Sequence, residues 1–278
     1  MTAPATAQRG MTRKQRTTII RTAQYAVIVL IVVVMALVGH WHDFKVQFLD
    51  WHVMGQILPR IIKTGFVNTL IYTASAFVFG LIVGLIIALM RMSEVRLYRW
   101  IATVYVELLR GLPTLLVLYL LTYGIPIVFG NNNKFFGNFY VLVTLGLGSV
   151  AAAYMSETIR AGVQAVPKGQ MEAARTLGMS RGSAMRLVIL PQAFRIIIPP
   201  LTNEVILLIK DSSLVFAVGL ASSQYELTFL ANTAASGGIT GIDSSSSPLI
   251  LAGLAYLVIT LPLSQAVRAL ERNQAKRR

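Results

Sequence analysis

GFVNTLIYTASAFVFGLIVGLIIALM, residues 65–90, contains no Asp, Glu, Lys or Arg. Crossing the hydrocarbon core of a bilayer takes about 20 residues of helix, so this stretch reads as one membrane span. Outward from it, residues 25–38, 111–133 and 135–156 are uncharged in the same way. The apolar residues come in runs and not in alternating stripes, which argues against the strands of a membrane barrel. Composition agrees: of 278 residues, 55% are hydrophobic and 13% charged, with mean hydropathy +0.65. A soluble domain is about 25% charged, so most of this chain belongs in lipid.

Six spans fit, roughly 20–38, 62–90, 100–128, 139–160, 196–220 and 249–268. The fold class expected is all-α, a polytopic membrane helical bundle with six transmembrane helices. The net charge is +14, and nineteen of the 25 Lys and Arg fall in four segments: the N-terminal tail, 91–99, 160–195 and the tail from Arg268. That alternation is the positive-inside pattern, not a nucleic-acid face. Both tails are therefore expected in the cytoplasm, which requires an even number of spans. Loops 91–99 and 160–195 then lie inside, and 39–61, 129–138 and 221–248 outside. Residues 236–248, SGGITGIDSSSSP, have the composition of a flexible connector. Trp41, Phe44, Phe48 and Trp51 suit a segment lying in the outer interface. The first run follows Arg13, Lys14, Arg16 and Arg21, but no small-residue cleavage site follows Val38, so it reads as a retained anchor. Residues 1–61 are read as tail, first span and interfacial segment, 62–270 as the transmembrane domain, and 271–278 as a basic tail.

Two spans look interrupted. The third carries Arg110-Gly111-Leu112-Pro113, then Gly124 and Pro126; the fifth opens with Pro199-Pro200 and holds Lys210-Asp211-Ser212-Ser213. Irregular backbone is tolerated at membrane depth where it is buried in protein or lines a watery cavity. Charges recur there too, each costing roughly 2.5–3.5 kcal/mol at the bilayer centre on insertion scales. Glu107 with Arg110, and Glu157 with Arg160, are three apart and share a helix face. They read either as fold-holding ion pairs or as a gate that exchanges partners. Asn203, Glu204, Lys210, Asp211 and Ser212 offer acceptors for an ammonium and donors for a carboxylate, as a zwitterionic solute needs. The alternative is that they bind helix to helix, with Lys210 reaching the interface.

Catalysis finds little support. Cysteine is absent, which removes disulfides, thiolate metal sites and cysteine nucleophiles. His40, His42 and His52 have no further matching ligands, so no metal is expected. No phosphate loop occurs, and no nucleophile–base arrangement is visible.

The inside loop is the most specific feature. Residues 170–177 are good helix formers, Gly178 is a natural stop, and Ser180 can cap a second helix to Leu190, which Pro191 then disturbs. Small Ala173 and Ala174 would let a partner approach closely. Glu172-Ala173-Ala174, then Gly178, then Leu190-Pro191, resembles the permease signature of bacterial ABC importers. Tyr105-Val106-Glu107-Leu108-Leu109-Arg110-Gly111-Leu112-Pro113 and Ala153-Tyr154-Met155-Ser156-Glu157-Thr158-Ile159-Arg160-Ala161-Gly162 resemble two more of its segments. Leu190-Pro191-Gln192-Ala193 and Leu208-Ile209-Lys210-Asp211-Ser212-Ser213-Leu214 resemble a further two. Together they resemble the polar amino-acid permeases, the histidine/glutamate/glutamine/arginine group, over about residues 60–270. The resemblance implies a non-enzymatic subunit of an alternating-access importer in the bacterial inner membrane. It implies a five-helix core, to which the first span is an addition. It also implies partners: ATPase subunits that bind Mg-ATP, a second permease identical or homologous, and an external solute-binding protein. Gly169, Glu172, Ala173, Ala174 and Gly178 would then dock the ATPase. An ATP-independent transporter or channel is the alternative, favoured only by inverted repeats, of which none is evident; a scaffold without transport ranks last.

Overall fold

The computed structural model describes residues 13–130, 133–219 and 221–275. The outermost parts of both expected tails, 1–12 and 276–278, lie outside the described residues. Those described form helices and connecting turns, with no strand. They divide into two units, Met1–Leu49 and Asp50–Arg278.

The first unit holds α1 (Arg13–Val38) and α2 (Trp41–Phe48). No residue of α1 is buried, and Val29, Leu30 and Val32 in its apolar half are about 60% exposed. A helix apolar all round is built for an apolar surrounding. The Trp41 indole N–H donates to the Ala36 carbonyl (2.9 Å), which closes the turn. Gly39 permits this: a Cβ there would sit 2.7 Å from the Trp41 ring.

In the second unit, α3 (Trp51–Arg60) starts on an Asp50 cap. The Asp50 carboxylate accepts from the His52 and Val53 amides at 2.9 and 3.2 Å. A π-helical turn over Ile61–Phe66 joins it to α4 (Val67–Met92). Val53, Met54 and Ile57 are buried, so only part of the expected interfacial segment presents an open face. Helix α4 pairs closely with α7 (Phe139–Gln164) through small residues. A Cβ on Gly84 would lie 2.9 Å from the Ala152 carbonyl, and one on Gly80 3.0 Å from the Ala151 Cβ. Such contacts drive helix association where lipid removes the hydrophobic incentive. Polar rungs add to it: the Thr144 hydroxyl donates to Ser75 Oγ (2.8 Å), and the Tyr140 hydroxyl to the Asn68 amide oxygen (3.1 Å).

The expected third span is two helices, α5 (Arg96–Gly111) and α6 (Thr114–Phe129), meeting at 109°. Leu112 is extended (φ −95°, ψ 144°), as a residue before proline prefers. The expected break at Pro199-Pro200 does not occur. After α8 (Lys168–Thr176), the chain forms α9 (Arg181–Ala184), a π turn (Met185–Ile189) and then α10 (Leu190–Asp211), which continues through both prolines. Nor does Pro191 end the loop helix. It sits in the first turn of α10, directly after the π turn, and the helix continues through it. The irregularity falls later, where Ser212–Val218 tightens into a 3₁₀ helix.

Four stretches are long and apolar enough to cross a membrane: Arg13–Val38, Trp41–Met92, Phe139–Gln164 and Ser247–Arg272. The bent pair makes up to five. Helix α10 falls outside that set; Arg195, Glu204, Lys210 and Asp211 interrupt it.

Residues 221–248 are not a loose connector. Helix α11 (Leu227–Ala235) packs Leu227, Leu230 and Ala231 against Ile57 and Ile61 and against α12 (Ser247–Ala275). The Gly/Ser-rich part is held by buried Ile239, and the Ser245 and Ser247 hydroxyls, both buried, bond each other at 2.8 Å. Gly237 and Gly241 take positive φ (75° and 81°), which the turns need.

Candidate functional site

Three clusters lie along the second unit. The central one is a pocket of about 250 Å³ between the start of α6, the middle of α7 and α10. Thr114, Tyr154, Glu204, Leu207 and Asp211 line it, with Leu147 and Ala151 behind. Glu204 and Asp211 are seven apart, two turns of helix, and so share one face. The bend at Pro113 brings Thr114 to the same place. At its edge the Arg110 guanidinium lies over the Tyr154 ring, 5.3 Å from the centroid. Both carboxylates are half-buried.

Five residues of this span are candidates from sequence, and the structure separates them. Glu204 and Asp211 line the pocket. Asn203 and Lys210 stand on the neighbouring, exposed face, because one residue step turns a helix 100°. Ser212 is fully buried, and its hydroxyl donates to the Ile209 carbonyl (2.7 Å), so it does not face the pocket. Thr114 and Tyr154 are lining residues that do not stand out in the sequence. Their only signal was position, beside Pro113 and within the Ala153–Gly162 segment.

The second cluster sits at the end of α4 and α7 that carries basic residues. Glu157 is shared: it pairs with Arg91 of α4 and, at 2.9 Å, with Arg160 of its own helix. Arg160 also donates to the Gln164 side chain (2.9 Å). All three charged side chains are less than a third exposed. The expected Glu107–Arg110 pair does not close. Arg110, in the last turn before the bend, turns to Tyr154 instead, and both residues are exposed. Arg91 was missed as a partner, although it directly follows the uncharged run 65–90.

The third cluster is the inside loop. Helix α8 ends on Gly178 at φ +83°. The Met179 amide donates back to the Ala174 carbonyl (3.1 Å) and the Gly178 amide to Arg175 (3.0 Å), the paired bonds of a glycine stop. Ser180 caps α9 through the Ser183 amide (3.1 Å). Gly169, Glu172 and Ala173 are exposed, whereas Ala174 is buried against the chain's own loop. Leu177 at the tip is 83% exposed, an apolar side chain with no cover from its own chain. Arg181 reaches Glu94 in the α4–α5 turn (2.9 Å).

These features define a membrane helical bundle with a mostly apolar pocket that two carboxylates line, and an exposed helix–turn–helix, the build of a transport permease. The chain belongs to the binding-protein-dependent transport system inner membrane component family, whose model matches residues 76–276. It is 38% identical over 224 residues to the L-cystine transport system permease protein TcyB of Bacillus subtilis (strain 168), covering 81% of this chain and 91% of that protein. The glutamate/aspartate import permease protein GltK of Escherichia coli O157:H7 is 36% identical over 232 residues, covering 81% and 98%. A chain of a solved amino acid ABC transporter, crystallised with histidines, superposes with a TM-score of 0.69 at 36% identity, covering 81% and 98%. The chain is thus a non-catalytic membrane component of such a transport system. Among the described residues no group of three or more His, Asp or Glu is placed to hold a metal.

Proposed function

We propose that this chain is the permease subunit of an ATP-driven importer of polar amino acids, and that the solute passes the Glu204–Asp211 pocket. The observation that carries the reading is the pair of half-buried carboxylates lining one small, mostly apolar pocket between α6, α7 and α10. Unpaired acids at that depth are unfavourable, and a solute ammonium offsets them. The Thr114 and Tyr154 hydroxyls and the Arg110 guanidinium at the edge then meet the solute carboxylate. Similarity to permeases named for cystine and for glutamate/aspartate supports the substrate class.

The chain works with a second permease, identical or homologous, which covers the exposed α10 face of Asn203 and Lys210. Two ATPase subunits bind Mg-ATP and receive Gly169, Glu172, Ala173, Gly178 and the Leu177 tip. Ala174 serves from behind by seating α8 on the loop. An external binding protein delivers the solute, and both termini lie in the cytoplasm of a bacterial inner membrane. The Arg91–Glu157–Arg160 cluster closes the inner end of the path, and its partners exchange as α4 and α7 shift.

Competition of amino acids for uptake by reconstituted Glu204→Gln and Asp211→Asn complexes, with a melting curve of each sample, tests this. The expected result is a changed substrate ranking at near wild-type melting temperature. An unchanged ranking with lowered stability would make the two acids structural.

A further inference from the structure

The first helix carries a charged face that the transport core does not use. The family model matches from residue 76 onward, so α1 stands outside it. Arg13, Lys14, Arg16 and Arg21 lie at the basic end of α1, and all four are exposed. At about 100° per residue they fall within an arc of about 160°, on one side of the helix. Among the described residues none of the four makes an ion pair. The Thr17 and Thr18 hydroxyls between them donate back to the Arg13 and Lys14 carbonyls (2.9 and 3.0 Å). No Asp or Glu precedes Asp43 in the sequence. Like charges one turn apart, such as Arg13 and Arg16, repel, so the face needs anions that its own segment does not supply.

Depth decides where those anions come from. The roughly 20 residues that cross the hydrocarbon, counted back from Val38, end at Ile19. Arg16 then stands about 5 Å and Arg13 about 9 Å beyond the hydrocarbon edge, with Lys14 between them. The headgroup layer is itself about 5–8 Å deep. Arg21 lies just inside the edge, but helix side chains lean toward the N-terminus, and a long cationic side chain reaches the headgroups that way. The four charged groups therefore gather at the level of the lipid phosphates. Three of them are guanidinium forks, which bind two phosphate oxygens at once. The apolar length of α1 fixes this depth, and it favours lipid over the acidic surface of a soluble protein.

We propose that Arg13, Lys14, Arg16 and Arg21 form a binding face for the headgroup phosphates of anionic phospholipids such as phosphatidylglycerol. The inference rests on α1 spanning the bilayer and is independent of what the bundle transports.

The test uses the full chain in its complex, in phosphatidylcholine vesicles that carry a trace of lipid with a photoreactive headgroup, either phosphatidylglycerol or phosphatidylcholine. Crosslinks within residues 13–24 are counted by mass spectrometry. In the wild type the phosphatidylglycerol probe is expected to label this segment about fivefold or more above the phosphatidylcholine probe. Arg13→Gln combined with Lys14→Gln leaves Arg16 and Arg21 to orient the helix and lowers that preference about threefold or more. Arg13→Lys retains most of it, and about 0.5 M salt weakens it in every variant that has it. Equal labelling by the two probes in the wild type overturns the proposal with no variant needed, and decides alone if the double variant does not insert. A preference that the inserted double variant keeps in full overturns it as well. Labelling that arises only after the ATPase subunits are stripped away would assign the face to a protein contact, which also overturns it.

Discussion

Glu226 shows how one residue holds several elements. Its carboxylate caps α11 through the Thr228 and Phe229 amides (2.7 and 2.6 Å) and accepts from the Tyr256 hydroxyl of α12 (2.9 Å). Loss of a helix cap costs about 1 kcal/mol, and an orphaned buried hydroxyl about 1–3 kcal/mol. Glu226→Ala is expected to lower the melting temperature in detergent by several degrees, and Glu226→Gln by less, since it keeps one acceptor oxygen. Equal melting of Glu226→Ala and wild type would remove the cap from this account. In the sequence Glu226 marked only an outside loop free of Lys and Arg; nothing in its neighbours announced a partner thirty residues on. Glu157 was more legible, because Arg160 lies within one turn, but Arg91 comes from another helix and spacing within α7 could not reveal it. Glu157→Gln removes the charge between two arginines; partly buried pairs broken this way lose about 3 kcal/mol, readable as a lower melting temperature that the double variant Arg91→Gln with Glu157→Gln partly restores.

Among the elements, the α4–α7 pair and the inside loop carry the sharpest expectations. A Cβ on Gly84 would meet the Ala152 backbone at 2.9 Å, so Gly84→Val forces the helices apart. It is expected to abolish recovery of folded protein on size exclusion, whereas Gly55→Val, at a site with open space, leaves the elution unchanged. In the loop, Gly178 has room around it but φ +83°. A β-branched side chain resists that conformation, so Gly178→Val re-aims α9 while insertion proceeds. ATP hydrolysis without uptake is the expected outcome, and Gly178→Asn, which tolerates the conformation, keeps uptake. Normal uptake by Gly178→Val would contradict the coupling role. The helix stop was readable because glycine after a run of helix formers has a local cause. The two proline sites had the same local signal and different outcomes. At Leu112 the pre-proline preference won and the chain turned through 109°. At Pro199-Pro200 packing prevailed: Ile197 and Pro199 are buried, and α10 stays helical against its neighbours. Sequence shows where proline stands, not what the surroundings hold.

At the scale of the whole molecule, runs of uncharged residues revealed a helical membrane bundle because lipid leaves the backbone few alternatives. They revealed the pocket less well. The residues weighed for it formed a polar cluster in one span, while the lining draws on α6, α7 and α10, and only Glu204 and Asp211 belong to both sets. The six-span reading makes both ends cytoplasmic. Single cysteines at Gln8 and Gln274 are therefore expected to resist an impermeant thiol reagent in intact cells and to react after lysis; labelling of either before lysis contradicts the parity of spans. The central claim is that a separate ATPase moves solute through this chain. It is tested most directly by uptake of labelled amino acid into vesicles that hold the complex, with ATP inside the ATPase-accessible compartment and no ion gradient. The account predicts uptake only when ATP and binding protein are both present, and none when ATP is replaced by a non-hydrolysable analogue. Uptake driven by an imposed proton or sodium gradient without ATP would contradict it.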